Sequence, residues 1–250
     1  MPTCLPKPIT LVTRKHKIEK LKYPLTVVSF QVIKEMHISD GVLSAPVLAA
    51  GWAITVVFIA IAIWWSRKKG IEVEVIPKLS LMAAVFFVAS LVHIPIGPTS
   101  VHLIFAGLMG IILGILAFPA IFIGLVLQAF LFQFGGITTI GINTVDVGIP
   151  ALIAYVIFRG GCKSGILSSR KGAAEGIFGA VAGGVAVLLV AAFTAVALIV
   201  SDEQFFGVAV TLVVAHIPVM IIEAVVTGSV VAFLVKVKPE LIGSLGGDGK

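Results

Sequence analysis

Charge is scarce in this chain. Only 12% of its 250 residues are Asp, Glu, Lys or Arg, against 59% hydrophobic ones. Soluble domains carry about 25% charged residues, so a water-soluble body is excluded and an integral membrane protein is implied. Cysteine is nearly absent. Cys4 and Cys162 stand far apart, which excludes a disulfide framework and a paired-cysteine metal site. No GxxxxGK[ST] phosphate loop and no HExxH motif occurs, so the chain lacks the residues of a P-loop ATPase or a zinc protease.

The formal charge of +6 belongs to one region. Residues 1–35 hold seven Lys/Arg and two Glu, whereas the rest hold eleven Lys/Arg and ten Asp/Glu. No basic patch with interleaved aromatics exists elsewhere, so nucleic acid is not an expected partner.

What is present is apolar sequence in long runs. A spanning helix needs about 20 apolar residues, which the runs at 46–65, 79–96, 174–200 and 206–235 supply. The stretch 103–134 is too long for one crossing, about 48 Å as a helix. Phe118-Pro119 at its middle predicts two helices, 102–117 and 119–134. Segment 147–158 adds a short apolar helix, with Asp146 placed to cap its start. The expected architecture is an all-α bundle of about seven transmembrane helices.

Loop charge supports that count. With seven crossings, the eleven basic residues after Met36 fall at 67–78, 159–171 and 236–250, all on one side, and loops 97–101, 135–145 and 201–205 carry none. The positive-inside rule then places the C-terminus in the cytoplasm and Met36 outside. Asp40, Asp146, Asp202 and Glu203 give the outer face an acidic character, either a field that favours cations or ordinary helix-end decoration.

On that topology the basic residues 1–35 lie on the wrong side, with no convincing secretory signal. Translation is expected to begin at Met36, with 1–35 a non-native basic extension, 36–240 the membrane domain and 241–250 a flexible tail.

His37, His93 and His102 map to the outer half, and His16 to the extension. Imidazole is the commonest ligand for first-row transition metals. With Met36 as a free N-terminus, its α-amine, the deprotonated His37 amide and the His37 imidazole chelate in fused, near-planar rings. A further imidazole completes a square nitrogen set suited to Ni(II) or Cu(II) and open to Co(II).

The blocks "MHISDGVLS", "HIPIGPTSVHLIFAGLMGIILG", "FPAIFIGLVLQAFLFQFGGITTIGINT" and "HIPVMIIEAVVTG" closely resemble the CbiM/NikM family. These are the substrate-capturing membrane components of energy-coupling-factor cobalt and nickel transporters. The resemblance runs from Met36 to about Glu240 and implies seven helices with the N-terminus outside. It implies metal ligands at Met36, His37 and His102.

The remaining candidates read as supports. His93 either orients a ligand or packs at the interface. Thr138, Thr139 and Asn143, in the loop "GGITTIGINTVD", could brace the returning N-terminus by hydrogen bonds, or the loop is only a connector. Glu223, deep in the last span, shares a helical face with His216. Gating, an outer ligand-supporting role or a plain interhelical hydrogen bond are all open to this pair. Glu175 is expected to pair with Lys171. Small residues at Gly110, Gly114, Gly172, Gly176, Ala180 and Gly184 serve internal packing or docking of a partner.

The expected function is non-enzymatic: capture and uptake of Ni(II) or Co(II) as substrate, with no prosthetic group, in the plasma membrane of a prokaryote. The implied partners are a transmembrane coupling subunit, two cytoplasmic ATPase subunits and, in some assemblies, a small accessory membrane subunit. The rival from the carrier class is a stand-alone proton-coupled divalent-metal carrier using His216 and Glu223. An intramembrane metalloenzyme would need a general base beside the histidines, and no outer-half Glu stands there.

Overall fold

The computed structural model of the protein describes residues 37–70, 72–96, 99–164 and 172–242. The expected extension, Met36 itself and the tail from 243 lie outside the described residues.

The order is α1 (Ala45–Lys69), α2 (Glu72–Ser90), strands β1 (His93–Ile96) and β2 (Thr99–His102), α3 (Ala106–Leu113), α4 (Ala117–Phe132), α5 (Ile140–Lys163), α6 (Ala173–Ser201) and α7 (Phe206–Val237), with short 3-10 turns at 114–116, 203–205 and 239–241. The body is helical as expected, and the two short strands are an addition to that expectation. Among the described residues, five stretches are long and apolar enough to cross a membrane: 45–69, 106–132, 140–163, 173–201 and 203–237. Val75–Ser90 of α2 is a shorter apolar helix. Large apolar residues such as Val56, Trp64, Val210, Val214, Ile221 and Val225 are exposed, as lipid-facing helices require. This is a multi-pass membrane protein.

The stretch 106–132 is not one straight crossing. His102, just before α3, has its ring centroid 5.4 Å from that of His37. Gly135, just after α4, sits against the same residue: a Cβ built on it would lie 3.1 Å from His37 Cβ. A straight helix of this length would part those ends by about 40 Å. The chain therefore reverses between α3 and α4. It does so at Gly114, with φ +54°, a conformation that favours glycine, and not at Phe118-Pro119 as the sequence suggested. Pro119 falls in the first turn of α4, where its missing N–H costs nothing.

Three other expectations are corrected. His93 does not end the second helix, nor does His102 open the third: α2 stops at Ser90, and the two histidines are register partners on an antiparallel hairpin. The fifth long helix starts at Ile140 rather than 147, because the polar residues of "GINT" find partners inside the bundle. Asp146 is therefore no cap and no surface acid. It is buried and accepts a hydrogen bond from Thr194 Oγ1 at 3.3 Å.

The two ends of the bundle differ. At the histidine end, Ser44 N–H donates to Ser201 Oγ at 3.1 Å and Trp52 Nε1 to Thr138 O at 2.9 Å. At the opposite end lie the basic last turns of α1 (Arg67, Lys68, Lys69), α5 (Lys163) and α7 (Lys236). There Lys78 Nζ donates to Leu241 O at 2.8 Å, and Glu175 accepts from Gly172 N–H at 2.5 Å. Lys171, its expected partner, is outside the described residues.

The small residues are used inside the protein. A Cβ on Gly110 would fall 1.8 Å from Ala151 O on α5, and one on Gly228 would fall 2.7 Å from Gly176 O on α6. Close helix approach explains these glycines.

Candidate metal centre

The segment 37–44 precedes α1 and lies back across the bundle end. Two apolar side chains anchor it. Ile38 and Leu43 are buried in a cluster with Phe118, Ile142, Val145 and Leu198. Backbone groups do the rest. Ile38 N–H donates to Asn143 Oδ1 at 3.1 Å, and Ile38 O accepts from Asn143 Nδ2 at 3.1 Å and from Thr139 Oγ1 at 2.6 Å. One side-chain amide thus holds both backbone groups of one residue. Asp40 accepts from Ile137 N–H at 3.1 Å, from Thr138 N–H at 2.9 Å and from the Thr138 hydroxyl. Glycine is required at 136, where a Cβ would lie 2.1 Å from Asp40 Oδ1 and 2.5 Å from Asp40 N.

This clamp buries His37. Its ring meets the His102 ring edge-on, with an interplanar angle of 68°, and both residues are buried. His102 Nδ1 lies 2.8 Å from Leu103 O. A carbonyl can only accept, so Nδ1 carries the proton and Nε2 the lone pair that a metal needs. Burial pushes the His37 imidazole down to about 4, a nearby Gln128 amide opposing this in part. At neutral pH His37 is uncharged, the form that ligates. Among the described residues no cluster of three or more His, Cys, Asp or Glu exists. The structure thus brings two imidazoles, those of His37 and His102, together.

The strand carrying His102 is held from behind. Glu223 on α7 is fully buried, and its Oε1 accepts from Phe105 N–H at 2.9 Å and from Ile104 N–H. These N–H groups sit at the start of α3, where backbone donors lack helical partners and negative charge is favoured. Phe105 is held at φ 50°, a strained turn for a non-glycine residue. His216 does not join Glu223. Its Nδ1 lies 2.7 Å from Leu212 O of its own helix. His93 is brought opposite His102 by the hairpin register, and its side chain lies outside the described ones.

Sequence reasoning missed Gln128 and Ser90. Both are fully buried, and Gln128 Nε2 donates to Ser90 Oγ at 2.7 Å. The available signal was a lone amide in the otherwise apolar helix α4.

Residues 37–241 match the family described as CbiM, cobalt uptake substrate-specific transmembrane region. The chain belongs to the CbiM family. A Haemophilus influenzae protein named for metal transport is 36% identical over 210 residues, 83% of this chain and 97% of that protein. The cobalt transport protein CbiM of Clostridium tetani is 30% identical over 227 residues, 85% of this chain and 89% of its own. A solved structure of a transition metal transporter superposes with a TM-score of 0.65 at 28% identity, covering 82% of this chain and 95% of that one. A truncated form gives 0.63, also at 28% identity, over 80% and 99%. The family is described by cobalt uptake, and the named relatives are transport proteins.

Proposed function

We propose that this CbiM-family chain captures Ni(II) or Co(II) as the substrate-binding membrane subunit of an ATP-driven importer in a prokaryotic cell membrane. The observation that carries the reading is the meeting of His37 and His102, ring centroids 5.4 Å apart, in a buried pocket at the end of a clamped arm. In a chain that begins at Met36, the Met36 amine and the deprotonated His37 amide add two further nitrogens to the His37 imidazole. His102 completes a square of four. Metal arrival displaces protons, so binding strengthens with rising pH.

The reversal at Gly114 lets α3 and α4 count as entry and return. That gives seven helices, with the basic end cytoplasmic and the arm outside. The missing ATPase function belongs to two separate subunits, coupled through a transmembrane partner. A stand-alone proton-coupled carrier built on His216 and Glu223 is the weaker reading, since each bonds a different group.

The test is an equilibrium titration with Ni(II) and with Co(II) on protein whose first residue is Met36, beside the 250-residue chain. A square-planar absorption spectrum is expected from the first alone, and His102→Ala should weaken binding at least a hundredfold. Full binding by a chain whose intact mass matches residues 1–250 would remove the amine from the ligand set. Metal uptake into vesicles holding this chain alone would favour the carrier.

A further inference from the structure

Two buried polar atoms near the histidine pair have no hydrogen bond: His37 Nε2 and Gln128 Oε1. Gln128 opposes the fall of the His37 pKa as a neighbouring side-chain acceptor does, which sets the two groups beside one another. The contact stops short of a formed bond. Buried polar groups are seldom left unpaired, and these two are complementary.

Gln128 is not free to turn. Its Nε2 donates to Ser90 Oγ at 2.7 Å, and the Ser90 hydroxyl is itself committed to Phe87 O at 2.6 Å. The serine therefore offers a lone pair and no proton, so only the amide nitrogen of Gln128 can face it. That fixes the other end of the amide as oxygen, an acceptor presented to His37. An acceptor there demands a ring N–H.

We infer that Gln128, oriented by Ser90, is a positioning residue that holds His37 in the Nε2–H tautomer. The lone pair is then left on Nδ1. This deepens the metal-capture reading and rests on it, because the fused chelate with the His37 amide closes through Nδ1 in a six-membered ring. The Nε2–H tautomer is the one that permits it. The two imidazoles are thus set in opposite senses: Leu103 O holds the proton of His102 on Nδ1, and Gln128 holds that of His37 on Nε2. Outer hydrogen bonds of this kind orient metal-binding histidines in general, and losing one costs roughly 10–100-fold in affinity.

The test uses the chain as recovered from its native host, labelled with 15N at histidine and held metal-free in lipid nanodiscs. Two-bond 15N–1H correlations should show His37 protonated on Nε2. Gln128→Met should lower the Nε2–H fraction toward that of free neutral histidine, which itself leans to Nε2–H, and weaken Ni(II) binding roughly 10–100-fold. Gln128→Glu, which restores an acceptor oxygen, should recover both. A role confined to the Ser90–Gln128 interhelical bond would change stability and leave the tautomer alone. Ser90→Ala keeps Gln128 and frees the amide to rotate. It should give mixed tautomers, and it decides the matter where Gln128→Met fails to fold. An Nδ1–H His37 in the native chain, or a Gln128→Met protein with unchanged tautomer and unchanged Ni(II) affinity, overturns the inference while leaving metal capture in place. The predicted tautomer in a native chain that takes no Ni(II) or Co(II) supports the positioning role and removes the capture reading instead.

Discussion

The arm clamp and the histidine pocket lie side by side, and they differ in how fully their polar atoms are paired. In the clamp, the peptide of Ile38 and the carboxylate of Asp40 all have partners. Around the pocket, His37 Nε2, Gln128 Oε1 and Glu223 Oε2 are buried without any. An unmet buried polar group costs about 1–3 kcal/mol. A saturated network is one whose work is done on folding. The unsaturated one beside it has bonding capacity left for the contact between Gln128 and His37 and for the proton shifts that accompany metal capture.

The sharpest way to break this contrast is to lift the arm off its clamp. Gly136→Ala places a methyl group into Asp40. Overpacking of that kind costs about 3 kcal/mol at its upper range, so Ni(II) affinity should fall roughly a hundredfold. Helical circular dichroism and the melting temperature should stay near native values, because the bundle core is untouched.

Acid attacks the same docking from the pocket side. The His37 imidazole is lowered to about 4 by burial, against about 6.5 in a released arm. Between those values the released arm binds more protons than the docked one, so docking is complete above 6.5 and weakens as pH falls toward 4. The full loss is about 3 kcal/mol. Hydrogen exchange at Ile38 across this range should show it, and His37→Asn should flatten the profile.

Asn143→Ala removes the acceptor for the buried Ile38 N–H, while Thr139 still serves Ile38 O. About 2 kcal/mol of docking should be lost. Exchange of the Ile38 amide and metal affinity should both change by roughly thirtyfold. Asp40→Asn is the mildest case. Its bonds are exposed, it keeps an accepting oxygen, and less than about 1 kcal/mol is expected. Both clamp variants should change arm exchange and metal binding together, whereas His102→Ala should change metal binding alone.

Much of this was legible in the amino-acid order, unevenly. Apolar runs located α1, α6 and α7 to within a few residues, because length and composition decide what can lie in lipid. Basic residues sorted to one end for the same reason. The hairpin at 93–102 was hidden because His, Pro and Gly at the tip of an apolar run read as a helix end. The turn at Gly114 was masked by the more conspicuous Pro119, though proline is harmless in a first turn. Asp146 read as a cap because its helix was begun seven residues late. His37 and His102 stood out by residue type. Gln128 did not, since its meaning lies in Ser90 and in the imidazole across from it, and neither is near in sequence.

The arm has a kinetic consequence. On the proposed capture reading, residues 37–40 carry a ligand and the contacts that fasten it, so donor and fastening are one covalent segment. A bound ion cannot depart by shedding ligands one at a time into an open cleft. Its escape waits on peeling Ile38 and Asp40 from Asn143, Thr139 and Thr138. Residence time is then set by an unzipping rate rather than by metal–nitrogen bond strength. Two cations of similar ligand preference should differ in affinity more than in dwell time.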